Sequence, residues 1–260
     1  MSAHIPRKRF GQNFLQDRGV ITDIVSAIDP KSDDPLVEIG PGLAALSQPL
    51  MDRVKVLHAV ELDRDIVKHL TRRFPAERLR VHNCDALAFD FRGLRDEIAP
   101  GKQIRVVGNL PYNISTPLLF HLASQSDAIS DMHFMLQKEV VDRMVAEPGN
   151  TDYGKLSVML QFRFYMEKLL DVPPHAFDPP PKVDSAVVRL IPLPQPLADI
   201  PVEALEKVVT QAFTQRRKTL RNNLKGWFDD TTLESLGINP GARAENLSVM
   251  DYIKLAQRLI

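Results

Sequence analysis

The sequence predicts an α/β protein with a doubly wound sheet, followed by a small all-helical domain. Short aliphatic runs alternate with helical patterns up to about position 192, as in parallel strands joined by helices. Prolines then concentrate at 192–201, and beyond them only the helical period appears. We therefore expect a first domain at 1–192 with a basic N-terminal arm, a proline-rich linker at 193–201 and a helical domain at 202–260.

The composition narrows the class of protein. The chain has 260 residues, 44% hydrophobic and 25% charged, as expected for a folded protein with a large core. One cysteine excludes internal disulfides, and the seven histidines form no close pair along the sequence, so we expect no metal. Apolar runs stay below the roughly 18 residues of a membrane span, and the N-terminal stretch lacks the apolar segment of a signal peptide. We therefore expect a cytoplasmic monomer without a membrane partner.

The individual elements are predicted from aliphatic runs and their flanking residues. Strands are expected at 36–39, 54–60, 79–82, 104–108, 132–136, 164–172 and 186–191. Helices are expected at about 19–27, 64–73, 115–123, 138–146, 155–163, 202–213, 217–227, 231–236 and 248–259. Asp63 is expected to cap the helix that follows it, and Ser248 with Asp251 forms a capping signal for the last helix.

A glycine turn follows the first buried strand. Gly40 and Gly42 allow a tight turn in which main-chain amides approach a ligand closely. The same residues match a dinucleotide-binding fingerprint, G-x-G-x-x-A. The turn alone therefore leaves three interpretations open: a nicotinamide dinucleotide site, an S-adenosylmethionine site or a purely structural turn.

Acidic residues stand at the ends of the next two strands. Glu61 lies about twenty positions past the glycines, where a carboxylate can bind a ribose diol. Asp85 is placed to accept a hydrogen bond from an adenine amino group, although a helix cap or turn role explains it equally well. Ligands of doubly wound sheets bind outside the carboxyl ends of the strands. Gly40, Glu61, Asp85 and Asn109 all follow strands, and this convergence predicts one binding site.

The fourth strand ends in Asn109-Leu110-Pro111-Tyr112, the most informative stretch of the sequence. The ring of Pro111 fixes its own φ angle and favours an extended conformation at Leu110, so we expect a rigid loop after the strand. The Asn109 side-chain oxygen and the Leu110 carbonyl could hold both hydrogens of an exocyclic adenine amine, which localises the nitrogen lone pair. Tyr112 could stack on a base removed from its helix. The alternative is an ordinary proline turn after a strand.

Two basic segments are candidate phosphate contacts, and a proline-stiffened loop presents an aromatic and a cationic side chain. Arg7, Lys8 and Arg9 form a basic arm, for which a solvated tail is the alternative. The loop before the last strand presents Phe177 and Lys182, and Phe177 is expected to complete a sandwich around the base. Within the predicted helix at 217–227 and just before it, an acid-free basic cluster is expected to bind phosphate: Arg216, Arg217, Lys218 and Arg221, with Lys225 beyond them.

In this order, the motifs resemble the ribosomal RNA adenine dimethyltransferase family over essentially the whole chain. The matching stretches are FGQNFL at 10–15, EIGPGL at 38–43, ELD at 61–63, DA at 85–86, GNLPYNIS at 108–115, FDPPPKVDS at 177–185 and QRRKTLRN at 215–222. One departure is visible: Ala44 and Ala45 stand where the family often has glycine then alanine. We expect the following helix to begin more rigidly there and cofactor binding to survive.

The resemblance implies a Rossmann-like S-adenosylmethionine-dependent methyltransferase sheet. It implies transfer of four methyl groups to two adjacent adenosines in the 3′-terminal hairpin of 16S rRNA, within the immature 30S subunit and late in its biogenesis. Cofactor binding is expected from Asn13, Leu15, Gly40, Gly42, Glu61, Asp85, Ala86 and Asn109. Catalysis is expected from Asn109, Leu110, Pro111, Tyr112 and Phe177.

Three alternatives remain from the sequence. The same catalytic core could act on large-subunit rRNA or on DNA adenine, although the basic C-terminal segment and the Phe177 loop argue against both. The protein could instead act mainly as an RNA-binding assembly factor, with methylation secondary. A nicotinamide-dependent dehydrogenase would leave the Asn-Leu-Pro-Tyr loop unexplained.

Overall fold

The computed structural model describes residues 13–260. These residues form two compact units. The first contains the described residues up to Val141 together with Glu167–Pro192, and the second contains Asp142–Met166 and Leu193–Ile260. The second unit thus includes a segment at 142–166 that the sequence analysis assigned to the first domain.

Strands and helices alternate along the chain up to Pro192, including the segment at 142–166 that belongs to the second unit. The strands are β1 (Phe14–Leu15), β2 (Leu36–Ile39), β3 (Leu57–Glu61), β4 (Leu79–Asn83), β5 (Ile104–Asn109), β6 (Ile129–Gln137), β7 (Phe164–Val172), β8 (Phe177–Asp178) and β9 (Ser185–Pro192). The helices are α1 (Arg18–Ile28), α2 (Ser47–Met51), α3 (Arg64–Arg73), α4 (Phe91–Ile98), α5 (Ser115–Ser124), α6 (Lys138–Val145) and α7 (Lys155–Gln161).

Among the described residues, seven strands form one sheet in the order β4-β3-β2-β5-β6-β9-β7. The pairs from β4 to β6 are parallel, and β9 runs antiparallel to β6. The doubly wound α/β class predicted from the alternation is therefore confirmed. The carboxyl ends of β2, β3, β4 and β5 consequently lie along one edge of the sheet, which is where such sheets bind ligands.

Local capping follows the sequence closely. The Asp63 side chain caps α3 by accepting a hydrogen bond from the Asp65 amide, as predicted. The structure adds α4 at Phe91–Ile98, which the sequence analysis missed. Asp90 caps this helix, and the buried Phe91 and Leu94 lie on its inner face. A short amphipathic stretch that begins with an aspartate was therefore the signal for it.

The second unit is built from α7 and from helices after the prolines. These are α8 (Val202–Ala212), α9 (Leu220–Asn223), α10 (Asp230–Ser235) and α11 (Val249–Leu259). The predicted capping box of α11 is present: Ser248 accepts a hydrogen bond from the Asp251 amide, and Asp251 accepts one from the Ser248 amide. After the prolines, the elements of the second unit are helices, as the sequence predicted.

The helix predicted at 217–227 is wrong, because α9 covers only four residues. Asn223 is buried, and its side-chain amide donates to the carbonyls of Ala212 at 2.6 Å and Gln215 at 3.0 Å. The amides of Leu220 and Arg221 donate to the loop at 240–242 rather than to a preceding helical turn. The first amides of the predicted helix are therefore not used within a helix, and Gly226, with φ +85°, turns the chain shortly after α9.

The turn after β2 has a left-handed backbone at three residues. Gly40 has φ +68°, Gly42 has φ +53° and Ala44 has φ +73°. An alanine in this region costs roughly 1–2 kcal/mol, which glycine would avoid. The prediction that the helix begins more rigidly at Ala44 is therefore wrong. Ala44 has a glycine-like backbone conformation, and α2 begins later, at Ser47.

A buried hydrogen bond joins the two ends of this turn. Ser47 Oγ donates to Glu38 Oε2 at 2.6 Å, and both side chains are buried. Burial raises the pKa of Glu38 to about 7, the Ser47 hydrogen bond acts in the opposite direction, and the nearby Glu61 raises it further. Glu38 is therefore a buried acid that holds a proton through much of the range in which an exposed glutamate is ionised.

We expect Glu38→Gln to stabilise the protein at high pH and to change little at low pH. In the unfolded chain the Glu38 carboxyl has an ordinary pKa near 4.5, whereas in the folded protein its pKa is about 7. As the pH rises between these two values, Glu38 is ionised in the unfolded chain but still protonated in the folded protein, so the free energy of unfolding falls. Above about pH 7 this loss stays constant. Glutamine keeps an acceptor for Ser47 without a charge. The expected gain at pH 8 is at most about 3 kcal/mol.

Urea unfolding at pH 4.5, 6 and 8 measures this difference. Asp52→Asn, an exposed carboxylate of the same unit, controls for the change in net charge. An equal offset between wild type and Glu38→Gln at all three pH values would contradict the prediction.

Candidate active site

A cavity of about 290 Å³ lies at the carboxyl ends of β2 to β5, entirely within the first unit. The residues around it include Asn13, Phe14, Ile39, Gly40, Val60, Glu61, Leu62, Ile66, Cys84, Asp85, Ala86, Asn109, Leu110, Pro111, Tyr112, Asn113 and Ile114. The convergence expected from the sequence is therefore seen in the structure for Gly40, Glu61, Asp85 and Asn109.

The position of the cavity depends on a very close approach of β2 and β5. A Cβ atom built on Gly108 would lie 2.3 Å from the Ile39 carbonyl oxygen. No other residue fits there without movement of the main chain. A Cβ on Gly40 would lie 3.4 Å from the Asn109 carbonyl oxygen, so the glycine turn and the Asn109 loop are in van der Waals range.

Glu61 provides a buried carboxylate at the end of β3. Its Oε1 accepts a hydrogen bond from the Asp63 amide at 2.8 Å, and the side chain is 8% exposed. Burial raises the pKa of Glu61, while main-chain hydrogen bonds from Asp63, Gly42 and Leu62 act in the opposite direction. The amides hold the carboxylate in place, and Gly42 contributes one of these amides without lining the cavity itself.

Asp85 caps a turn and also lies at the cavity. Its Oδ1 accepts a hydrogen bond from the Leu87 amide at 2.9 Å and so caps a short 3₁₀ turn at Ala86–Ala88. Asp85 also lines the cavity, together with Ala86. Together with the apolar Val60 and Ile66, these carboxylates form a site for a molecule that carries hydroxyl or amino donors on an apolar ring system.

The Asn109 loop is held from both sides. Asn109 Nδ2 donates to the Asn13 carbonyl at 3.3 Å, and the Leu110 amide donates to the Met135 carbonyl at 3.1 Å. The side-chain amide nitrogen is thus engaged by the main chain. The Asn109 oxygen Oδ1 remains as the hydrogen-bond acceptor for a ligand.

Tyr112 is held in place by a hydrogen bond to Ser185, which the sequence analysis did not predict. Its hydroxyl and Ser185 Oγ are 2.7 Å apart, and Ser185 at the start of β9 is fully buried. Burial raises the pKa of the Tyr112 hydroxyl, which stays neutral near pH 7. Ser185 was visible only as the last residue of the FDPPPKVDS motif, and nothing in that motif indicates its partner.

Two predicted site residues lie in the hydrophobic core instead. Phe177 and Leu15 are each 4% exposed and belong to the same apolar cluster, and they pair across β8 and β1. Neither lines the cavity. The predicted stacking of Phe177 on a base therefore does not fit its position, because its ring packs among aliphatic side chains. Lys182 is exposed.

The basic segment of the second unit is less uniform than predicted. Arg216 pairs with Glu245 at 3.1 Å and donates to the carbonyls of Thr151 and Tyr153. Arg221 pairs with Asp230 at 2.6 Å. The run contains no acid in its own sequence, but the fold pairs these two arginines with acidic residues from other segments.

Arg217 and Lys218 are exposed and have no ion pair among residues 13–260. They remain candidate phosphate contacts. The arm with Arg7, Lys8 and Arg9 lies outside the described residues.

The described part of the chain contains no group of three or more His, Cys, Asp or Glu side chains that could hold a metal ion. Two histidines that are distant in sequence do meet: His58 Nδ1 and His82 Nε2 are 3.1 Å apart. Burial lowers the pKa of His58 to about 4, so this pair is held as a neutral hydrogen bond. From residue 13 onward, no helix is both long and apolar enough to cross a membrane.

Comparisons with known proteins agree on one family. A family model for ribosomal RNA adenine dimethylases matches residues 3–260. A Chromobacterium violaceum protein named ribosomal RNA small subunit methyltransferase A is 62% identical over 260 residues, covering 100% of this chain and 97% of its own length. A protein of the same name from Laribacter hongkongensis is 60% identical, covering 99% of this chain and 97% of its own length.

Solved structures give the same result. A dimethyladenosine transferase from Plasmodium falciparum superimposes with a TM-score of 0.80 at 27% identity, over 95% of this chain and 98% of that one. The 23S rRNA methyltransferase ErmE superimposes with a TM-score of 0.71 at 26% identity, over 95% and 99%. On its sequence and on its fold, this chain belongs to the ribosomal RNA adenine dimethylase family.

Proposed function

We propose that this protein uses S-adenosylmethionine to dimethylate the N6 amines of two adjacent adenosines in the 3′-terminal hairpin of 16S rRNA. Its substrate is the immature 30S subunit, and it acts late in small-subunit biogenesis. The observation that carries this proposal is the Asn109-Leu110-Pro111-Tyr112 loop, held rigidly at a cavity that also contains two carboxylates. The full-length similarity to proteins named ribosomal RNA small subunit methyltransferase A supports the choice of subunit.

The cavity residues fit the proposed cofactor. Glu61 would accept hydrogen bonds from the ribose hydroxyls, and Asp85 would accept one from the adenine amino group. Gly40 lets the main chain approach the cofactor, and Asn13 lines the same cavity. Val60 and Ile66 supply apolar walls for the adenine ring. When bound, S-adenosylmethionine supplies a methyl group already activated by its sulfonium, so no strong base is required before attack.

The chain contributes positioning and polarisation of the target amine. Asn109 Oδ1 and the Leu110 carbonyl would accept the two amine hydrogens and leave the lone pair free to attack. Tyr112 would stack on the base once it has left its helix. The first transfer would leave the nitrogen positively charged, and it would then lose one of its two hydrogens as a proton to water. One amine hydrogen would remain, so the second transfer would rely on one acceptor and on the position of the Tyr112 ring.

Other substrates and roles are tested by the same experiments. The TM-score to ErmE keeps large-subunit rRNA as a second candidate, whereas the full-length relatives at 60% identity or above favour small-subunit rRNA. We expect the protein to work as a monomer in the cytoplasm, where ribosomal subunits mature. An assembly role without catalysis is the remaining alternative.

We expect Asn109→Ala to abolish most methyl transfer. Loss of one acceptor that acts on the reacting amine should lower kcat by about 100-fold or more. Tritiated S-adenosylmethionine is supplied with unmethylated 30S subunits, and the rRNA is then digested to identify labelled nucleosides. Wild type should yield N6,N6-dimethyladenosine from the 3′-terminal hairpin.

Each other result of this experiment has a definite meaning. Tritium label in 23S rRNA or DNA would refute the proposed substrate, but the proposed catalytic role of the Asn109 loop would stand. If Asn109→Ala lacks activity but still supports subunit maturation in cells, the assembly role dominates. Wild type that binds subunits and labels no adenine would refute the proposed enzyme function.

The carboxylate of Glu61 should determine cofactor affinity. We expect Glu61→Gln to weaken S-adenosylmethionine binding by about tenfold, since a charged acceptor for a hydroxyl pair is lost. Isothermal titration measures this, with Asp52→Asn as an exposed carboxylate control. The melting temperature of the protein should rise with S-adenosylmethionine and stay unchanged with NAD or NADP. A rise with NAD or NADP and none with S-adenosylmethionine would identify a dehydrogenase.

Tyr112 and Ser185 should act as a unit. Tyr112→Phe and Ser185→Ala each remove the same hydrogen bond at 2.7 Å, so each should lower kcat by about three- to tenfold. The double variant should be no worse than either single variant. Because a loosely held ring orients the monomethylated amine poorly, the ratio of mono- to dimethyladenosine should rise.

Ser130→Ala removes a hydroxyl that bonds the Ile104 carbonyl at 3.2 Å, and it provides the control. Strictly multiplicative effects of the two changes at Tyr112 and Ser185 on kcat would show that the tether does not position the ring.

A further inference from the structure

The second unit contains a cavity of its own, which we call the Trp227 cavity. It measures about 570 Å³ and is lined by Arg221, Asn222, Lys225, Trp227, Asp229 and Asp230 among others. Trp227 is the single tryptophan of the chain, and it is 39% exposed. A large exposed aromatic surface in a cavity marks a site for a flat partner.

The backbone holds Trp227 in this exposed position. Gly226 has φ +85°, which turns the chain, and the amides of Trp227 and Phe228 both donate to the Leu224 carbonyl, at 2.9 Å and 3.0 Å. Leu224 and Phe228 are buried and anchor the turn in the core. The neighbours thus fix the turn, and 39% of the Trp227 surface stays exposed.

The charges around the cavity are divided between occupied and available groups. Arg221 is held by Asp230, with Nε 2.9 Å from Oδ1. Asp229 is occupied as the cap of α10, where it accepts a hydrogen bond from the Thr232 amide at 2.8 Å. Lys225 is exposed and has no ion pair among residues 13–260. One ammonium is therefore available beside the indole.

Asn222 adds a group that can read a base edge. Asn222 lines the cavity, and its Nδ2 donates to Thr219 Oγ1 at 3.0 Å, which leaves its oxygen as an acceptor. An aromatic face, an amide acceptor and one available cation form a combination that suits a single nucleotide, with base, base edge and phosphate. A continuous track for a polyanion would need more unpaired cations than this cavity has.

We propose that the Trp227 cavity binds one unpaired nucleotide of the RNA substrate, with its base stacked on the indole and its phosphate at Lys225. The proposal rests on the proposed function for the identity of the RNA. It adds a recognition site on the second unit that is separate from the cavity of the first unit in which the target adenine reacts. Its effect should therefore be on RNA binding and not on methyl transfer.

The fluorescence of Trp227 tests the proposal directly, because no other tryptophan contributes. Single-stranded nine-residue oligo(A) and oligo(U), and a duplex of equal length, are titrated into the full-length protein. The single strands should quench the emission to saturation, and the duplex should not. Duplex quenching equal to that of the single strands, or no quenching by any RNA, would overturn base stacking.

Variants separate stacking from charge. In anisotropy titrations with a labelled oligonucleotide, Trp227→Ala should bind about tenfold more weakly, and Trp227→Phe should stay within about threefold of wild type. Lys225→Ala should weaken binding about threefold and reduce the salt dependence by about one phosphate contact. Tyr165→Ala removes another exposed aromatic of the same unit, 56% exposed, and should change nothing.

Kinetics with 30S subunits distinguish this inference from the proposed function. Trp227→Ala should raise KM for subunits and leave kcat within about twofold of wild type. If Trp227→Ala matches wild type in KM and oligonucleotide affinity, the nucleotide site is refuted while the methyltransferase function stands. If wild type methylates no rRNA, the proposed function fails, and quenching by single strands alone would still support the nucleotide site. Trp227→Phe keeps the test valid if the alanine variant unfolds.

Discussion

The close approach of β2 and β5 is the constraint on which the active site depends. Gly108 faces the Ile39 carbonyl with no space for a Cβ atom, and this brings the glycine turn against the Asn109 carbonyl. The rigid loop after Asn109 then continues from a fixed strand end, with the Leu110 amide bound to β6 at Met135. The proposed methyl transfer places an amine nitrogen against a methyl donor within about half an ångström, and such positioning needs a rigid base.

Buried carboxylates give the first unit its electrostatic character. Glu38 binds Ser47 across the glycine turn, and Glu61 is oriented by main-chain amides beside it. Burial raises the pKa of both groups, and the charge of Glu61 raises the pKa of Glu38 further. The hydrogen bonds offset part of that cost. The left-handed Ala44 adds local strain in the same turn, so this region gives up stability to hold a ligand-binding conformation.

In the second unit, side chains that appear suited to RNA are partly used to hold the fold. Arg216 binds Glu245 and two carbonyls of the loop at 147–154, so its loss would disturb that loop as well as any phosphate contact. Arg217 and Lys218 lack such partners among residues 13–260. The same motif therefore contains both structural and available cations, and equal effects of their substitution would not mean equal roles.

The sequence by itself determined the parts that depend on neighbours in the chain. Aliphatic runs identified β2, β4, β5 and β7 nearly to the residue, and the caps at Asp63 and Ser248 were read directly because capping is a local hydrogen bond. The strand-end residues Gly40, Glu61, Asp85 and Asn109 were also placed together, since parallel strands end at one edge. Only the tertiary structure decided that Tyr112 meets Ser185, 73 positions away, and that Phe177 enters the core. It also decided that the amides of Leu220 and Arg221 at the start of α9 donate to the loop at 240–242. These contacts join residues far apart in the chain, and no periodicity or spacing encodes them.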